Sequence, residues 1–570
     1  MDLTNLAIIA VLLIVAVTAL APRIGIAAPL GLVAAGVALS FLPGIPEFEV
    51  DPELILAGVL PPLLYSAAVN MPTMDFRRDL KSIGGLSFVV VVVSAGVIGF
   101  VLNHIVPGIG FAEGFALGAI VSPTDAVATG IVKKTGVAPR LVTVLEGESM
   151  LNDASALVLL RSAVAAMGVA AGSISVGGVL WDFVVAVALA VVVGVVVGGA
   201  SLALRAVVRD ATLQTAISFV VPFIAYVPAE HVGASGLVAV VTAGLITGYR
   251  GTIELRPQDR LSEAATWRTI AFLLESGVFL LMGLEVRPLI DDFTDDGGSV
   301  LRLLTVVGTC LGILLIVRAG YIALLIKGLG NDLRHMRRWL PHMARMKGLL
   351  DSPAAQRMSE RRRERIRQEI VRHEADLTFY RDQQLGRRDG AVLTWAGMRG
   401  VVTLAAAQTL PVDTDQRALL VLAAFTVAVT SLVVQGGTLA WIVRLLGTEA
   451  RRDAEVRQQL ATIADTLTEI ADDRCAEVEE SGLDGREVDA DALAHARRYN
   501  RLDRDSRWAG PEGEDRDRRL ADLQALRRAV LSDQRDALVE MRSLHRYDSE
   551  ALTTMLDRVD RAELAVDALN

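Results

Sequence analysis

Cysteine, histidine and familiar catalytic motifs are scarce in this sequence of 570 residues. The two cysteines, Cys310 and Cys475, cannot supply a disulfide framework. The 7 histidines are scattered and never take H-x-x-x-H or H-E-x-x-H spacing, which argues against a catalytic zinc site. Neither a GxxxxGK[ST] phosphate loop nor a G-x-S-x-G serine elbow is present, which disfavours ATP-driven transport within this chain. We therefore expect neither an enzyme nor a cofactor.

Apolar residues are what the sequence has in abundance: 52% of residues are hydrophobic and 21% are charged, with a mean hydropathy of +0.45. Up to about residue 447 they form blocks of roughly 18–25 residues, the length that crosses a hydrocarbon core of about 30 Å. After that point the chain is polar. The N-terminus lacks the basic region of a signal peptide, so the first block is interpreted as a retained span.

The blocks predict an all-α polytopic membrane protein with about thirteen spans in residues 1–447 and a helical tail in residues 448–570. The predicted spans are 3–21, 24–42, 53–71, 82–106, 111–133, 140–168, 177–208, 213–231, 234–249, 267–287, 300–327, 390–410 and 417–446. Connections after odd-numbered spans are basic, and those after even-numbered spans are neutral or acidic. By the positive-inside rule, the N-terminus lies outside and the tail is cytoplasmic, in a multi-pass protein of the plasma membrane.

The odd number of spans with alternating charge predicts two inverted repeats of six helices, spans 1–6 and 8–13, joined by span 7. Span 5 contains Ser122-Pro123-Thr124-Asp125, and span 12 contains Gly397-Met398-Arg399-Gly400. Each stretch interrupts the fifth helix of its repeat. Interrupted helices at matching positions mark the substrate site in such folds, which indicates secondary transport.

Two aspartates, Asp125 and Asp153, lie inside predicted spans. A carboxylate near the bilayer midplane costs about 2.5–3.5 kcal/mol on insertion scales, so it persists where it faces a cavity, a partner or an ion. On span 6, Glu146, Ser149 and Asp153 share one helical stripe. The neighbouring stripe has the polar residues Glu148, Asn152 and Ser155.

These groups predict a site for an alkali cation. Pro123 removes one backbone hydrogen bond and frees carbonyls near Thr124, and carbonyls at membrane depth can coordinate a cation. Carboxylates, a hydroxyl and a carbonyl are hard oxygen ligands, which suit such an ion better than a soft metal. Burial and a second carboxylate both disfavour the charged form of an aspartate, so the same groups can hold a proton instead. Competition for one site is sufficient for exchange.

Arg399, deep in span 12, requires a partner. We predict a structural ion pair with Glu148; the alternative is that Arg399 binds freed carbonyls of its own broken helix. Glu275 and Arg318, on spans 10 and 11, are a second candidate pair.

At these residues the chain resembles the monovalent cation:proton antiporters of the bacterial NhaP and animal sodium/proton exchanger type. The matching segments are LPPLLYSAAVNM (60–71), GAIVSPTDAVA (118–128), LEGESMLNDASALV (145–158) and WAGMRGVVTLA (395–405). The resemblance covers residues 1–447 and implies a homodimer with thirteen helices per protomer, in which one bundle forms the dimer interface and another moves to carry the ion.

The resemblance also implies the roles of site residues. Na⁺ would be held by Asp153, Ser149, Asp125 and the carbonyl of Thr124, while the glutamate–arginine pair of the family falls on Glu148 and Arg399. The Asn152-Asp153 pair is similar to that of electroneutral exchangers of one Na⁺ or Li⁺ for one H⁺, so Asn152 is counted with the metal site. Many relatives have an acidic residue where this chain has Ser66. We expect Ser66 and Asn70 to line the cavity without charge.

Outside the spans, the basic loop 328–389 predicts contact with anionic lipid, and no nucleic-acid partner is expected. The tail opens with a heptad stripe: Val456, Leu460, Ile463, Leu467 and Ile470. A polar stretch near 501–519 precedes a helix predicted from about Leu520 to Leu569. This tail is interpreted either as helices packed on each other or as a dimerisation or regulatory module.

The leading hypothesis is alternating-access exchange of Na⁺ or Li⁺ for H⁺, serving pH homeostasis and sodium tolerance. K⁺/H⁺ exchange, a cation channel and an intramembrane aspartyl protease using Asp125 and Asp153 are the alternatives.

Overall fold

The structure is a computed structural model that describes residues 3–24, 27–42, 51–167, 176–350, 359–447, 452–483, 486, 488–499, 515–544 and 547–567. Its described residues are almost entirely helical, as predicted for an all-α chain. The helices up to the middle of the chain are α1 Leu3–Leu20, α2 Ala28–Ser40, α3 Leu60–Asn70, α4 Thr73–Gly84, α5 Val91–Ile105, α6 Phe111–Val121, α7 Val127–Lys134, α8 Pro139–Met167, α9 Val176–Val207, α10 Ala211–His231, α11 Gly236–Glu254 and α12 Pro257–Leu284. The remaining helices are α13 Val286–Asp295, α14 Val300–Leu350, α15 Glu360–Asp382, α16 Arg387–Trp395, α17 Val401–Gln408, α18 Arg417–Ser431, α19 Gly437–Leu446, α20 Arg452–Ser481, α21 Ala490–Tyr499, α22 Asp515–Ser543 and α23 Ser549–Asp567.

Each predicted span coincides with a helix or with two helices separated by a break. Seven helical stretches of the described chain are long and apolar enough to cross a membrane by length and composition. They are Thr73–Ile105, Pro139–Met167, Phe183–Val207, Ala211–His231, Pro257–Asp295, Val300–Asn331 and Arg417–Leu446. The count of thirteen crossings stays a prediction.

The chain divides into two compact units. The first comprises residues 1–255, 262–329 and 385–450. It contains two large buried apolar clusters: one is centred on α5, α6, α8, α14 and α16–α19, and the other on α3 and α9–α11. Helix α8 contributes to both clusters, so its polar stripes lie deep inside this unit.

Both predicted helix breaks are present. Residues 122–126 separate α6 from α7, and residues 396–400 separate α16 from α17. Three π-helical stretches, Leu54–Val59, Gly85–Val90 and Leu432–Gly436, adjoin α3, α5 and α19. Such stretches occur frequently at functional sites.

Small residues and buried ion pairs hold the helices of the first unit together. A Cβ on Gly36 of α2 would lie 2.3 Å from the carbonyl oxygen of Leu280 on α12, so only glycine permits this approach. Arg140 of α8 binds Asp79 of α4 through both carboxylate oxygens, at 2.7–3.0 Å.

The second unit comprises residues 256–261, 330–384 and 451–570. In it the stripe residues Ile463 and Leu467 of α20 are buried against α22 and α23, so helices of one chain pack on each other. The predicted single helix from Leu520 to Leu569 is wrong, because α22 ends at Ser543 and α23 begins at Ser549. Residues 500–514, most of the predicted polar stretch, lie outside the described residues.

Candidate functional site

A cavity of about 560 Å³ lies inside the first unit. Thr124 and Asp125, in the break between α6 and α7, line it together with Ser149 and Asp153 of α8. These are four of the five residues that the sequence predicts as cation ligands. The cavity therefore combines groups from two separate helical segments, and the broken helix α16–α17 adds a third wall at Gly400.

The two broken helices meet at their breaks. The backbone N–H of Asp125 donates to the carbonyl of Met398 at 2.8 Å. A Cβ placed on Gly400 would lie 1.5 Å from Oδ2 of Asp125, so a larger residue at this position would collide with the carboxylate. Each break thus supplies polar groups to the other.

The carboxylate of Asp125 is held at the N-termini of two half-helices. Its Oδ1 accepts a hydrogen bond from the N–H of Val127, the first residue of α7, at 3.0 Å. Backbone hydrogen bonds from Ala126 and from Val401, the first residue of α17, also reach this side chain. Helix N-termini favour negative charge, which makes this a suitable place for a carboxylate inside an apolar unit.

The two stripes of α8 have different surroundings, as their spacing predicts. Glu146, Ser149 and Asp153 all line the cavity. Asp153 is buried and lies within electrostatic reach of Asp125. Glu146 pairs with Lys133, whose side chain is 55% exposed. This stripe therefore presents two carboxylates and a hydroxyl to the same space.

The neighbouring stripe forms a buried hydrogen-bond chain. Nδ2 of Asn152 donates to the hydroxyl of Thr124 at 2.7 Å, and that hydroxyl donates to Oε1 of Glu148 at 3.3 Å. These hydrogen bonds hold the Thr124 hydroxyl between Asn152 and Glu148, so it is not available as a cation ligand. No described residue forms a hydrogen bond to the Thr124 carbonyl, which leaves that oxygen available. Asn152 thus contacts the site through Thr124 and does not line the cavity.

The predicted ion pair between Glu148 and Arg399 is wrong in its partner. Arg318 of α14 binds Glu148 through both carboxylate oxygens, with Nη2 to Oε2 at 2.9 Å, and both side chains are 2% exposed. The guanidinium of Arg399 donates instead to the carbonyls of Val121 and Gly397, one on each broken helix. The alternative, that Arg399 binds carbonyls of its own broken helix, is correct for Gly397, whereas the contact with Val121 on the other broken helix was not predicted.

The suggested pairing of Glu275 with Arg318 is also wrong, because Arg318 binds Glu148. Glu275 lines the cavity, as do Ser66 and Asn70 of α3. Sequence reasoning missed this position of Glu275, although it is the one charged residue between Thr269 and Leu284. An isolated carboxylate in an apolar run is the signal that could have identified it.

The arrangement offers hard oxygen ligands and groups that can take up protons within one cavity. Alkali and alkaline-earth cations prefer carboxylate, hydroxyl and carbonyl oxygens. Because the carboxylates come from separate helices, small rearrangements of the breaks would change how well the site holds an ion. This chemistry fits reversible cation binding coupled to protonation.

Comparisons with known proteins identify the family and support the fold. The profile of the family described as "Sodium/hydrogen exchanger, transmembrane" matches residues 8–445. A solved structure, the sodium proton antiporter MjNhaP1 from Methanocaldococcus jannaschii at pH 8, has the same fold with a TM-score of 0.52 and 17% identity. The match covers 77% of this chain and 97% of that chain.

Curated relatives extend the comparison. An uncharacterized Na⁺/H⁺ exchanger, YjcE of Escherichia coli, is 38% identical over 254 residues, 43% of this chain and 45% of that protein. The Na⁺/H⁺ antiporter ApNhaP of Aphanothece halophytica is 30% identical over 73% of this chain and 69% of its own length. A sodium, potassium, lithium and rubidium/H⁺ antiporter of Bacillus subtilis is 30% identical over 47% of this chain and 41% of its own.

Proposed function

The chain belongs to the sodium/hydrogen exchanger family, and from that premise we propose that it exchanges Na⁺ or Li⁺ for H⁺ as a secondary active transporter. Asp153 and Asp125 bind either the cation or a proton, and Ser149 and the Thr124 carbonyl complete the cation's ligands. One observation carries the proposal: the carboxylate at the meeting point of two broken helices and the carboxylate on α8 line one cavity.

Alternating access follows from the competition. Among the described residues, no lysine or arginine forms an ion pair with Asp125 or Asp153, so the empty site is charged and unfavourable to move through apolar surroundings. Na⁺ or protons remove that penalty. The site then changes sides only when occupied, which couples the two flows. The neutral Asn152 beside Asp153 supports an exchange of one cation for one proton.

Further parts of the proposal concern placement and assembly. The basic connections support a plasma-membrane protein with its N-terminus outside and residues 448–570 in the cytoplasm. We further propose a homodimer, and contact of the basic loop 328–389 with anionic lipid. In the cell the exchanger serves pH homeostasis and sodium tolerance.

The test uses everted membrane vesicles from cells that lack their own Na⁺/H⁺ antiporters. Respiration acidifies the lumen, and addition of Na⁺ or Li⁺ should restore the fluorescence of a pH-sensitive dye. Asp153→Asn should lower this response by at least about 10-fold, which corresponds to a loss of ~1.4 kcal/mol or more in the free energy of ion binding or of the transition state. Asp125→Asn should be nearly as damaging.

The matched control is Asp415→Asn, the same change at an exposed carboxylate between α17 and α18. It should exchange like the wild type. A normally assembled Asp153→Asn protein with wild-type exchange would contradict the proposal. So would a steady cation current in a planar bilayer, which indicates a channel.

K⁺/H⁺ exchange is a second candidate, supported by the name of the Bacillus subtilis relative and by Ser66, which leaves the α3 side of the cavity without charge. Adding K⁺ in the same vesicle assay separates the two. A response to K⁺ that exceeds the responses to Na⁺ and Li⁺ would favour this candidate.

A further inference from the structure

An arginine near the C-terminal end of α8 has no role in the proposed mechanism. Nη2 of Arg161 lies 2.7 Å from Oε2 of Glu230, which is in the last turn of α10. The other carboxylate oxygen of Glu230 accepts a hydrogen bond from the N–H of Gly236, the first residue of α11, at 2.9 Å. Glu230 is therefore fixed to the start of α11, and Arg161 contacts it from another helix.

The ion pair joins the two apolar clusters of the first unit. Leu160, next to Arg161, is buried in the cluster centred on α5, α6, α8, α14 and α16–α19. Ala229, next to Glu230, is buried in the cluster centred on α3 and α9–α11. Leu157, one turn before Arg161, packs against both clusters. The pair thus lies at the boundary between two groups of helices.

The cavity opens toward the other end of α8. Its lining includes the exposed side chains of Lys133 and Lys134, at a connection that the charge pattern assigns to the cytoplasm. Among the described residues of α8, Asp153 is the last that lines the cavity. Arg161 lies 8 residues farther along, about 12 Å at 1.5 Å per residue. The ion pair is therefore on the side away from the opening.

Apolar side chains close the cavity on that side. Ile55 packs with Val278 of α12 and Ala405 of α17, and each of the three is at most 5% exposed. Ile55 and Val278 also line the cavity, so this group forms part of its wall. In the proposed topology, Ile55 and Ala405 lie in the outer parts of spans 3 and 12. A cation in the cavity is thus separated from the outer surface by packed apolar groups.

We propose that the Arg161–Glu230 ion pair is an outer gate, which stabilises the conformation with the site open to the cytoplasm and separates when the site opens outward. The inference rests on the proposed function and deepens it. Alternating access moves one group of helices against the other, and a contact that joins the two groups on the closed side breaks in that movement. The side chain of Arg161 is 57% exposed and that of Glu230 is 23% exposed, so the contact is weak enough to break and form again in each cycle.

The first experiment compares the two faces of the membrane. Everted vesicles present the cytoplasmic face to added Na⁺, right-side-out vesicles present the outer face, and an ammonium diffusion gradient acidifies the lumen of both. In a two-state equilibrium, the half-saturating Na⁺ concentration at the cytoplasmic face divided by that at the outer face is proportional to the ratio of outward-open to inward-open protein. Arg161→Gln should raise this quotient about 3-fold, the scale of one partly exposed ion pair.

A double-mutant cycle tests whether the two residues act together. Glu230→Gln removes the charge and keeps an oxygen that can accept the hydrogen bond from Gly236. It should raise the quotient about as much as Arg161→Gln, and the double variant should not exceed either single variant. An unchanged quotient in Arg161→Gln would overturn the inference, even with a lower maximal rate, because that result indicates a structural role. A double variant with the product of the two single effects would also overturn it.

Arg287→Gln is the matched control. Arg287 pairs with Asp291 on the same helix, α13, which the charge pattern also places on the outer side. Both members of that pair move together, so its loss should leave the quotient at the wild-type value. An equal rise in Arg287→Gln would show that surface charge alone, and not a contact between moving helices, changes the quotient.

A reversible cross-link tests the movement itself. The native cysteines Cys310 and Cys475 are buried, so a protein with Arg161→Cys and Glu230→Cys offers its two new thiols to a bifunctional methanethiosulfonate. Cross-linking should lower exchange by at least about 10-fold, since the groups of helices can no longer separate there. A reducing agent should restore exchange, and each single-cysteine variant should be unaffected by the same treatment. Undiminished exchange in the cross-linked protein would contradict the gate.

The failure of this inference differs from a failure of the proposed function. A wild type that exchanges no alkali cation in either kind of vesicle overturns both. A wild type that exchanges Na⁺ or Li⁺, together with Arg161→Gln and Glu230→Gln proteins that keep its quotient, overturns the gate and leaves the proposed function in place.

Discussion

At the scale of single residues, two buried guanidinium groups bind different kinds of oxygen. Arg318 meets the carboxylate of Glu148, and its Nε donates to the carbonyl of Leu393 on α16 at 2.9 Å. Among the described residues, the guanidinium of Arg399 donates to the carbonyls of Val121 and Gly397, and its backbone N–H donates to the hydroxyl of Ser431. Arg318 therefore neutralises a charge and ties α8 to α14 and α16, whereas Arg399 satisfies carbonyls freed by the breaks.

Removing the charge of Glu148 should destabilise the fold. In Glu148→Gln, Arg318 keeps its charge in a place that is 2% exposed, and breaking a buried pair in this way costs about 3–5 kcal/mol. We expect a clear fall in the thermal unfolding temperature of the detergent-purified protein.

Glu146→Gln is the matched control on the same helix. Glu146 pairs with the largely exposed Lys133, and such pairs are worth about 0–1 kcal/mol. A double-mutant cycle on Glu148 and Arg318 should give a coupling free energy well above that of Glu146 and Lys133. Equal couplings would show that the Glu148–Arg318 contact does not stabilise the fold.

The spacing of α8 predicts which residues share a face, but it does not predict which helix packs on that face. The cavity stripe with Ser149 and Asp153 was predicted correctly for this reason. The partner of Glu148 depends on the positions of α14 and α16–α17, which are fixed by packing across hundreds of residues. The sequence analysis paired Glu148 with Arg399 and Arg318 with Glu275, whereas the structure pairs Glu148 with Arg318.

At the scale of elements, the broken helices act as a pair. Asp125 bonds to the carbonyl of Met398, and Arg399 bonds to the carbonyl of Val121, so each break satisfies the backbone of the other. Freed backbone groups at membrane depth require such partners. The first residues of α7 and α17 direct their N–H groups at one carboxylate. The site is thus a property of two elements together.

Gly400→Ala tests this arrangement without removing any polar group. The added Cβ would lie 1.5 Å from Oδ2 of Asp125, so the carboxylate must move. The φ angle of Gly400 is −131°, which alanine adopts without strain. We expect exchange to fall by at least about 10-fold, because a ligand displaced by an ångström loses much of its interaction.

The control for that change is Gly437→Ala at the start of α19, where no atom lies within 4 Å of the added Cβ. It should leave exchange and assembly unchanged. Wild-type exchange in Gly400→Ala would mean that Asp125 need not occupy its observed position.

The breaks were predictable because proline and glycine interrupt helices locally, as Pro123, Gly397 and Gly400 do. Their crossing was not, since no local signal gives the distance between residues 125 and 398. The π-helical stretches were not predicted either. Leu54–Val59 and Gly85–Val90 contain no proline, and their composition fits an ordinary helix.

At the scale of the whole molecule, the basic loop and the tail belong to one unit. Residues 330–384 cluster with residues 451–570 and with the short segment 256–261. The sequence analysis assigned loop 328–389 to the membrane part, because the loop connects two predicted spans. Long-range contacts decide the grouping, as with Gln383, whose amide donates to Asp548 at 2.8 Å.

Charge organises part of this second unit. Asp560 of α23 binds Arg260 and, at 2.6 Å, Arg535, while Arg535 also binds Glu563 at 2.7 Å. Asp560 is 4% exposed and lies between the two guanidinium groups, so it is the central charge of this network.

Asp560→Asn should therefore loosen the second unit. Without the carboxylate, two partly buried arginines face each other with Glu563 and Asp557 as nearby counter-charges, and we expect a loss of about 2–3 kcal/mol, at or below the range for fully buried pairs. Hydrogen exchange of the intact protein should show faster labelling in α22 and α23. Asp536→Asn, the same change at an exposed residue of α22, should label like the wild type.

Adding Arg260→Gln to Asp560→Asn removes one of the facing charges and should restore part of the protection. If the double variant labels as fast as Asp560→Asn alone, repulsion between the arginines is not the cause, and lost hydrogen bonds to Asp560 account for the effect.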